Sequence, residues 1–221
     1  MSVIEIIAKY REAFLDGLLT TLRMSMFVWS SGIVFGVVVG ALAARSKKSL
    51  GNLFVALSFF LGAIPVLVLL YWVYYPLQMI LNVNLPPIFS AIFVISVVNI
   101  FAVANIVRTG LLDFPQQYEV AARVCGLKPR ETLLRIKLPL IARQIIPSLL
   151  PIQIVMLQTT LFASLISVEE IFRVAQRVNS VVYKPVEIYS ALGIFFLLIC
   201  LPVNLFAYYL KQKYTRDPSE S

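Results

Sequence analysis

The stretch EVAARVCGLKPRETLLRIKLP, residues 119–139, carries seven charged side chains in 21 positions and lies between two oily segments. Two short helices fit it. In DFPQQYEVAARVCG, Pro115 comes early, where its missing N–H does no harm, and Gly126 comes where a C-terminal cap needs a left-handed residue. Pro129 then opens a second helix, PRETLLRIK, which Pro139 is expected to end. Glu119 and Arg123 stand one turn apart and are expected to pair. A charge at mid-depth of a bilayer costs about 2.5–3.5 kcal/mol. A segment this charged therefore belongs outside the hydrocarbon, against water or another protein. Ala121, Ala122, Cys125 and Gly126 give it a small, smooth patch that suits a groove on a partner; an ordinary solvated connection fits the spacing equally well.

The surroundings give the fold class. The chain has 221 residues, 60% hydrophobic and 14% charged, whereas soluble domains carry about 25% charged residues. A water-soluble fold would expose too much apolar surface. The expectation is an all-α, polytopic membrane protein: a single domain over residues 1–221 with about five transmembrane helices. A span needs about 20 apolar residues, and segments near 18–44, 53–75, 88–107, 140–168 and 186–210 qualify. Residues 1–17 differ. Glu5, Lys9, Glu12 and Asp16 recur opposite Ile4, Ile7, Tyr10 and Phe14, the pattern of an interfacial amphipathic helix. Residues 113–139 form the cytoplasmic loop.

Charge sets the expected orientation. The connection near 45–48, the stretch around 108–143 and the tail after 210 hold 13 of the 19 basic residues, among them Lys47, Lys48 and Arg216. Basic residues gather on the cytoplasmic side. The N-terminus is therefore expected outside and the C-terminus in the cytoplasm of a bacterial inner membrane. Tyr71, Trp72, Tyr74 and Tyr75 would then form an aromatic girdle at the outer end of the second span. No signal-peptide pattern opens the chain. Without histidine, His-based catalysis and His metal ligation are excluded. Cys125 and Cys200 suggest no disulfide framework. With partners expected to be lipid and protein, the net charge of +8 is not read as a nucleic-acid footprint.

Within the spans, Gly32, Gly36 and Gly40 form a strip that lets a helix approach closely, either inside the chain or at a subunit interface. Polar residues in spans are the candidates for a substrate path, although many only tie helices together. Gln153, Thr160, Ser164 and Ser167 recur at helical spacing; Gln158 and Thr159 lie off that stripe; Ser96, Asn99 and Asn105 lie in the third span. Arg108 near the inner end of its span suits snorkelling to phosphate. Glu169, Glu170 and Arg173 read as a solvated helix end, with docking of a binding protein as the second reading.

The charged stretch resembles the E-A-A-x3-G-x9-I-x-L-P signature of ABC importer permeases. Ala121, Ala122, Gly126, Ile136, Leu138 and Pro139 match, with nine residues between Gly126 and Ile136. Val120 occupies the glutamate position and Glu119 sits one residue early. The resemblance extends to the type I, polar-amino-acid branch through residues 17–46, GAIPVLVLLYWVYY, ANIVRTGL and LQTTLFASLISVEEIFRVA, with neutral Asn105 and Thr159 where the branch carries acids. It implies a permease subunit of an ATP-driven importer for a polar amino acid or similar solute. The implied coupling residues are Glu119, Ala121, Ala122, Gly126, Ile136, Leu138 and Pro139. The implied partners are cytoplasmic ABC ATPase subunits, an identical or homologous permease and an extracytoplasmic solute-binding protein. No enzyme activity and no cofactor are expected on this chain: it has no G-x-x-x-x-G-K-[ST] phosphate loop, so ATP and Mg belong to the partner ATPase. With the two acids of the branch missing, a cationic group would be met by backbone carbonyls and helix C-termini, or by an acid from a paralogous partner, or the solute is less cationic; the expectation taken is a preference for neutral or acidic solutes over basic amino acids. An ATP-independent secondary transporter or channel is the alternative, for which midplane ionisable pairs or an internal repeat would speak; no Asp or Glu lies well inside any span.

Overall fold

In the computed structural model the described residues are 3–46 and 48–215. Lys47 and Arg216, two of the orienting charges, lie outside them. Among the described residues there is no strand. The helices are α1 (Val3–Lys9), α2 (Arg11–Arg45), α3 (Lys48–Ala63), α4 (Val66–Trp72), α5 (Gln78–Leu81), α6 (Pro87–Leu112), α7 (Gln116–Val124), α8 (Pro129–Thr132), α9 (Leu138–Thr159), α10 (Ile171–Val182) and α11 (Pro185–Thr215). Wide π turns at Val73–Leu77 and Leu133–Lys137 and a 3-10 segment at Thr160–Ile166 join some of them without a break.

Among the described residues, four continuous helical stretches are long and apolar enough to cross a membrane, Arg11–Arg45, Pro87–Leu112, Pro129–Ile166 and Pro185–Tyr214; a fifth exists if a bent pair counts as one span. The first begins at Arg11, so only residues 3–9 form a separate terminal helix and not all of 1–17. The expected span at 53–75 falls within the bent pair, in which Gly51–Ala63 and Val66–Leu81 meet at 92°. Pro65 lacks an N–H and forces the residue before it out of the helical region, and the break falls at Ile64 and Pro65. Beyond it, Tyr71 and Tyr75 stack at 5.8 Å and Tyr74 meets Tyr75 edge-on. Pro76 is absorbed in a π turn, whose extra residue relieves the clash a proline ring makes in a regular helix.

The core is built on α2 against α6, the most extensive helix pair. The glycine strip serves this internal contact. A Cβ on Gly36 would stand 2.6 Å from Val103 Cβ, and one on Gly40 would stand 2.5 Å from the Ala104 carbonyl oxygen. Two helix backbones come this close only where one has no side chain. Helix α9 packs on α6 and α11, so α6 and α9 together link the whole bundle.

At the end of the bundle away from α7, α10 lies across the start of α2. Ile171 N–H donates to Thr21 Oγ1 at 3.1 Å, and Gly17 accommodates the Val174 side chain. Glu170 caps α10 by accepting from the N–H groups of Phe172 and Arg173 at 3.0 and 2.8 Å. It is fully buried, which corrects the expectation of a solvated helix end; Glu169 instead pairs in the open with Arg177 at 3.0 Å. Burial outweighs the two N–H bonds and pushes the Glu170 carboxyl up to about 7 from an ordinary 4.5. The folded chain thus holds a proton that the unfolded chain has lost between these two values. Stability falls as pH rises from about 4.5 to 7 and is level above, by on the order of 2–3 kcal/mol. Glu170→Gln should remove this dependence. Thermal unfolding at pH 8 should then favour the variant by roughly 5 °C, with the advantage gone at pH 5; a constant difference at both values would refute it.

Candidate functional site

Two surfaces concentrate the candidate residues: the short helices at one end of the bundle, and a polar face on the spans.

Helix α7 starts after Pro115 and stops at Gly126, whose φ of 73° is the left-handed conformation the sequence predicts. Gly126 N–H bonds the Arg123 carbonyl and Leu127 N–H the Ala122 carbonyl, each at 3.0 Å. These bonds close the last carbonyls of the helix. Pro129 opens α8 as expected, with Glu131 Oε2 accepting from Lys128 N–H at 3.0 Å. Pro139 does not end the second helix. The π turn at Leu133–Lys137 widens the backbone ahead of the proline ring, and the chain runs on as α9.

The seven coupling candidates divide. Ala121, Gly126, Leu138 and Pro139 are exposed, Ile136 is half-buried, and Ala122 is only 2% exposed because it faces its own chain. Glu119 does not form the expected pair with Arg123. It bonds Lys137 Nζ at 2.5 Å, and that hydrogen bond and charge hold its carboxyl below the usual carboxylate range. The outer face of α7 carries Val120 at 58% and Val124 at 83% exposure, two apolar residues one turn apart. Sequence reading missed Val124, although the i, i+4 spacing of two valines in a charged helix was visible.

The path candidates divide too. Asn99 and Gln153 are buried and face each other: Asn99 Nδ2 donates to Gln153 Oε1 at 3.0 Å and Gln153 Nε2 to Asn99 Oδ1 at 3.2 Å. Asn99 also donates to the Val28 carbonyl, and Trp29 Nε1 donates to the Gln153 carbonyl. This set ties α2, α6 and α9 at mid-span. Gly32 lies directly against the Asn99 carboxamide. Thr159, Thr160 and Ser164 are buried as well, and their hydroxyls bond carbonyls of their own helix. Ser167 leaves the stripe because the backbone turns left-handed there. The proposed stripe of Gln153, Thr160 and Ser164 is thus interior and lines no open surface of this chain.

Gln158 and Asn105 are exposed, with Asn105 donating to Ser58 Oγ at 3.1 Å. Thr109, Gln144 and Ser148, which sequence reading did not select, join Asn105, Asp113, Ile106, Gly110 and Ile145 around a cavity of about 290 Å³ between α6 and α9. Polar groups on span-length helices are costly against lipid, so this face belongs against water or protein.

The family described as "Binding-protein-dependent transport system inner membrane component" matches residues 32–216. The glutamine transport system permease protein GlnP of Escherichia coli (strain K12) is 27% identical over 187 residues, covering 82% of this chain and 85% of that one. The octopine transport system permease protein OccM of Rhizobium radiobacter is 28% identical over 197 residues, covering 85% and 80%. A crystal structure of an amino acid ABC transporter with histidines superposes with a TM-score of 0.83 at 22% identity, covering 96% of this chain and 99% of that one.

Proposed function

This chain belongs to the family of binding-protein-dependent transport system inner membrane components, and from that premise we propose how its parts serve an ATP-driven importer of polar amino acids or similar solutes. The permease role follows from the family and its relatives. The observation that carries the coupling assignment is α7: a nine-residue helix that stands off the bundle with Val120 and Val124 uncovered. An apolar pair on a charged, membrane-flanking helix needs a protein cover, and a cytoplasmic ATPase is the partner in this reading. ATP and Mg bind that subunit, and this chain contributes no nucleotide chemistry. The α7 end faces the cytoplasm and the α10 end faces outward, where the binding protein delivers solute.

The solute path runs along the exposed polar face of Asn105, Thr109, Gln144 and Ser148, closed on its open side by a second permease, identical or homologous. Along the spans these groups are amides and hydroxyls, with the Asp113 carboxylate at the α7 end of the cavity; neutral Asn105 and Thr159 within the spans support neutral or acidic amino acids over basic ones, because an isolated ammonium needs a carboxylate when desolvated. Lysine or arginine as the tightest competitor for uptake would overturn that preference.

Gly126 tests the coupling surface. At φ 73° with nothing within 4 Å of a built Cβ, it has room for a side chain but not the backbone preference. Asparagine tolerates this conformation. In complexes purified from native membranes, Gly126→Asp should cut the ATPase recovered with the permease by about tenfold, the cost of one charge set against an apolar contact. Gly126→Asn should recover it nearly in full. Undiminished recovery with aspartate would remove α7 from the interface.

A further inference from the structure

Helix α7 has few ties to its own chain. Ala122 is its one buried residue. Phe114, just ahead of it, is buried among Val103, Val107, Ile141 and Ile145, and so anchors the lead-in to α6 and α9. On α7 itself, the Tyr118 ring packs 5.8 Å from that of Phe114, and the ionic tie is Lys137. Its ammonium bonds Glu119 and also lies 5.2 Å from the centre of the Phe114 ring. Lys137 closes the π turn, and α9 begins at the next residue. One ammonium therefore joins α7, the Phe114 anchor and the foot of α9.

The displaced glutamate fits this arrangement. One residue is about 100° around an α-helix. Val120, at the position where the family signature has glutamate, points outward at 58% exposure, whereas Glu119 lies three residues from inward-facing Ala122 and shares its side of the helix.

We propose that Glu119 and Lys137 are positioning residues, forming a clasp that delivers displacement of α7 to α9; the inference rests on the importer reading above. Neither residue touches solute or nucleotide. Without the clasp, α7 keeps the Phe114–Pro115 turn, the Phe114–Tyr118 ring contact, its buried Ala122 and the Gly126 turn, and loses its ionic tie to the foot of α9. With it, a push on α7 acts on the helix that holds Gln153 and Gln158. A partly exposed ion pair contributes only about 0–1 kcal/mol to stability, so its loss should spare folding and assembly while uncoupling transport.

The test uses the complete complex in proteoliposomes and reads solute taken up per ATP hydrolysed. Lys137→Met and Glu119→Gln should each lower this ratio by about tenfold, within the range for residues that carry coupling, at unchanged complex yield. Lys137→Arg should stay close to wild type. The exchange Glu119→Lys with Lys137→Glu should recover most of the loss; the shortfall reflects the missing cation over Phe114 and the added repulsion from Arg123. A ratio unchanged in Lys137→Met, or an exchange no better than the single changes, would overturn the proposal. A second arm needs no ATPase. Spin labels at Val124→Cys and Ile146→Cys, with Cys125 and Cys200 replaced by serine, report the α7–α9 distance in the single chain in nanodiscs. The distribution should broaden with Lys137→Met and narrow again with the exchange; no broadening would overturn the clasp. If the wild-type complex shows no ATP-driven uptake while the distances respond as stated, the importer reading fails and the clasp stands.

Discussion

Gly40→Leu is expected to abolish the folded chain, leaving no monodisperse peak when detergent-solubilised membranes are run on a fluorescence-monitored sizing column. A Cβ at Gly40 would stand 2.5 Å from the Ala104 carbonyl oxygen, 2.9 Å from Val107 Cβ and 3.0 Å from Ala104 Cα. Two of these three are backbone atoms of α6 and cannot rotate away. The leucine would have to lever α2 from α6, the contact on which the bundle is built. Overpacking by a methylene or so costs about 1–3 kcal/mol. Four carbons against a backbone exceed that range and approach the whole stability of about 5–15 kcal/mol. Gly193 is the internal control. Nothing lies within 4 Å of a Cβ built there, so Gly193→Leu should give a wild-type peak in the isolated chain. Equal peaks for both variants would refute the α2–α6 packing.

Asn99→Leu should lower the stability of the solubilised chain by about 1–3 kcal/mol, because it leaves the buried Gln153 amide with no partner. Removing both amides tells more than removing one. In Asn99→Leu with Gln153→Leu no orphan remains, so the double change should be milder than the sum of the single ones and no worse than Asn99→Leu alone. Thermal unfolding of the four proteins gives the coupling directly. The same cycle separates a structural role from a solute-binding one. If the single variants keep their unfolding temperature and lose solute affinity instead, the carboxamide pair lines the path and its assignment as a three-helix tie is wrong.

The membrane class, the number of apolar segments and the two-part insert were legible, because each follows from composition or from a proline or glycine whose backbone demands are local. Gly126 is the clearest case: its left-handed conformation is written in the residue type. Pro139 was as visible but misleading. A proline ends a regular helix, and only the coordinates show a wide turn in front of it. The path residues were least legible. Helical spacing groups Gln153, Thr160 and Ser164, and all three are buried, but Thr160 and Ser164 lie in the 3-10 segment beyond α9, and spacing cannot say whether a stripe meets the interior or an open surface. Glu119 was misread for a similar reason. Arg123 is near in sequence, whereas Lys137, 18 residues on, is brought close only by the fold.

The right-angled elbow at Ile64 and Pro65 bears on biogenesis. During insertion a translocon meets residues 53–75 as one greasy rod, since hydropathy carries no angle. Pro65 sets the break locally, and α6, which emerges from the ribosome later, supplies the surface on which both arms of the finished elbow come to rest.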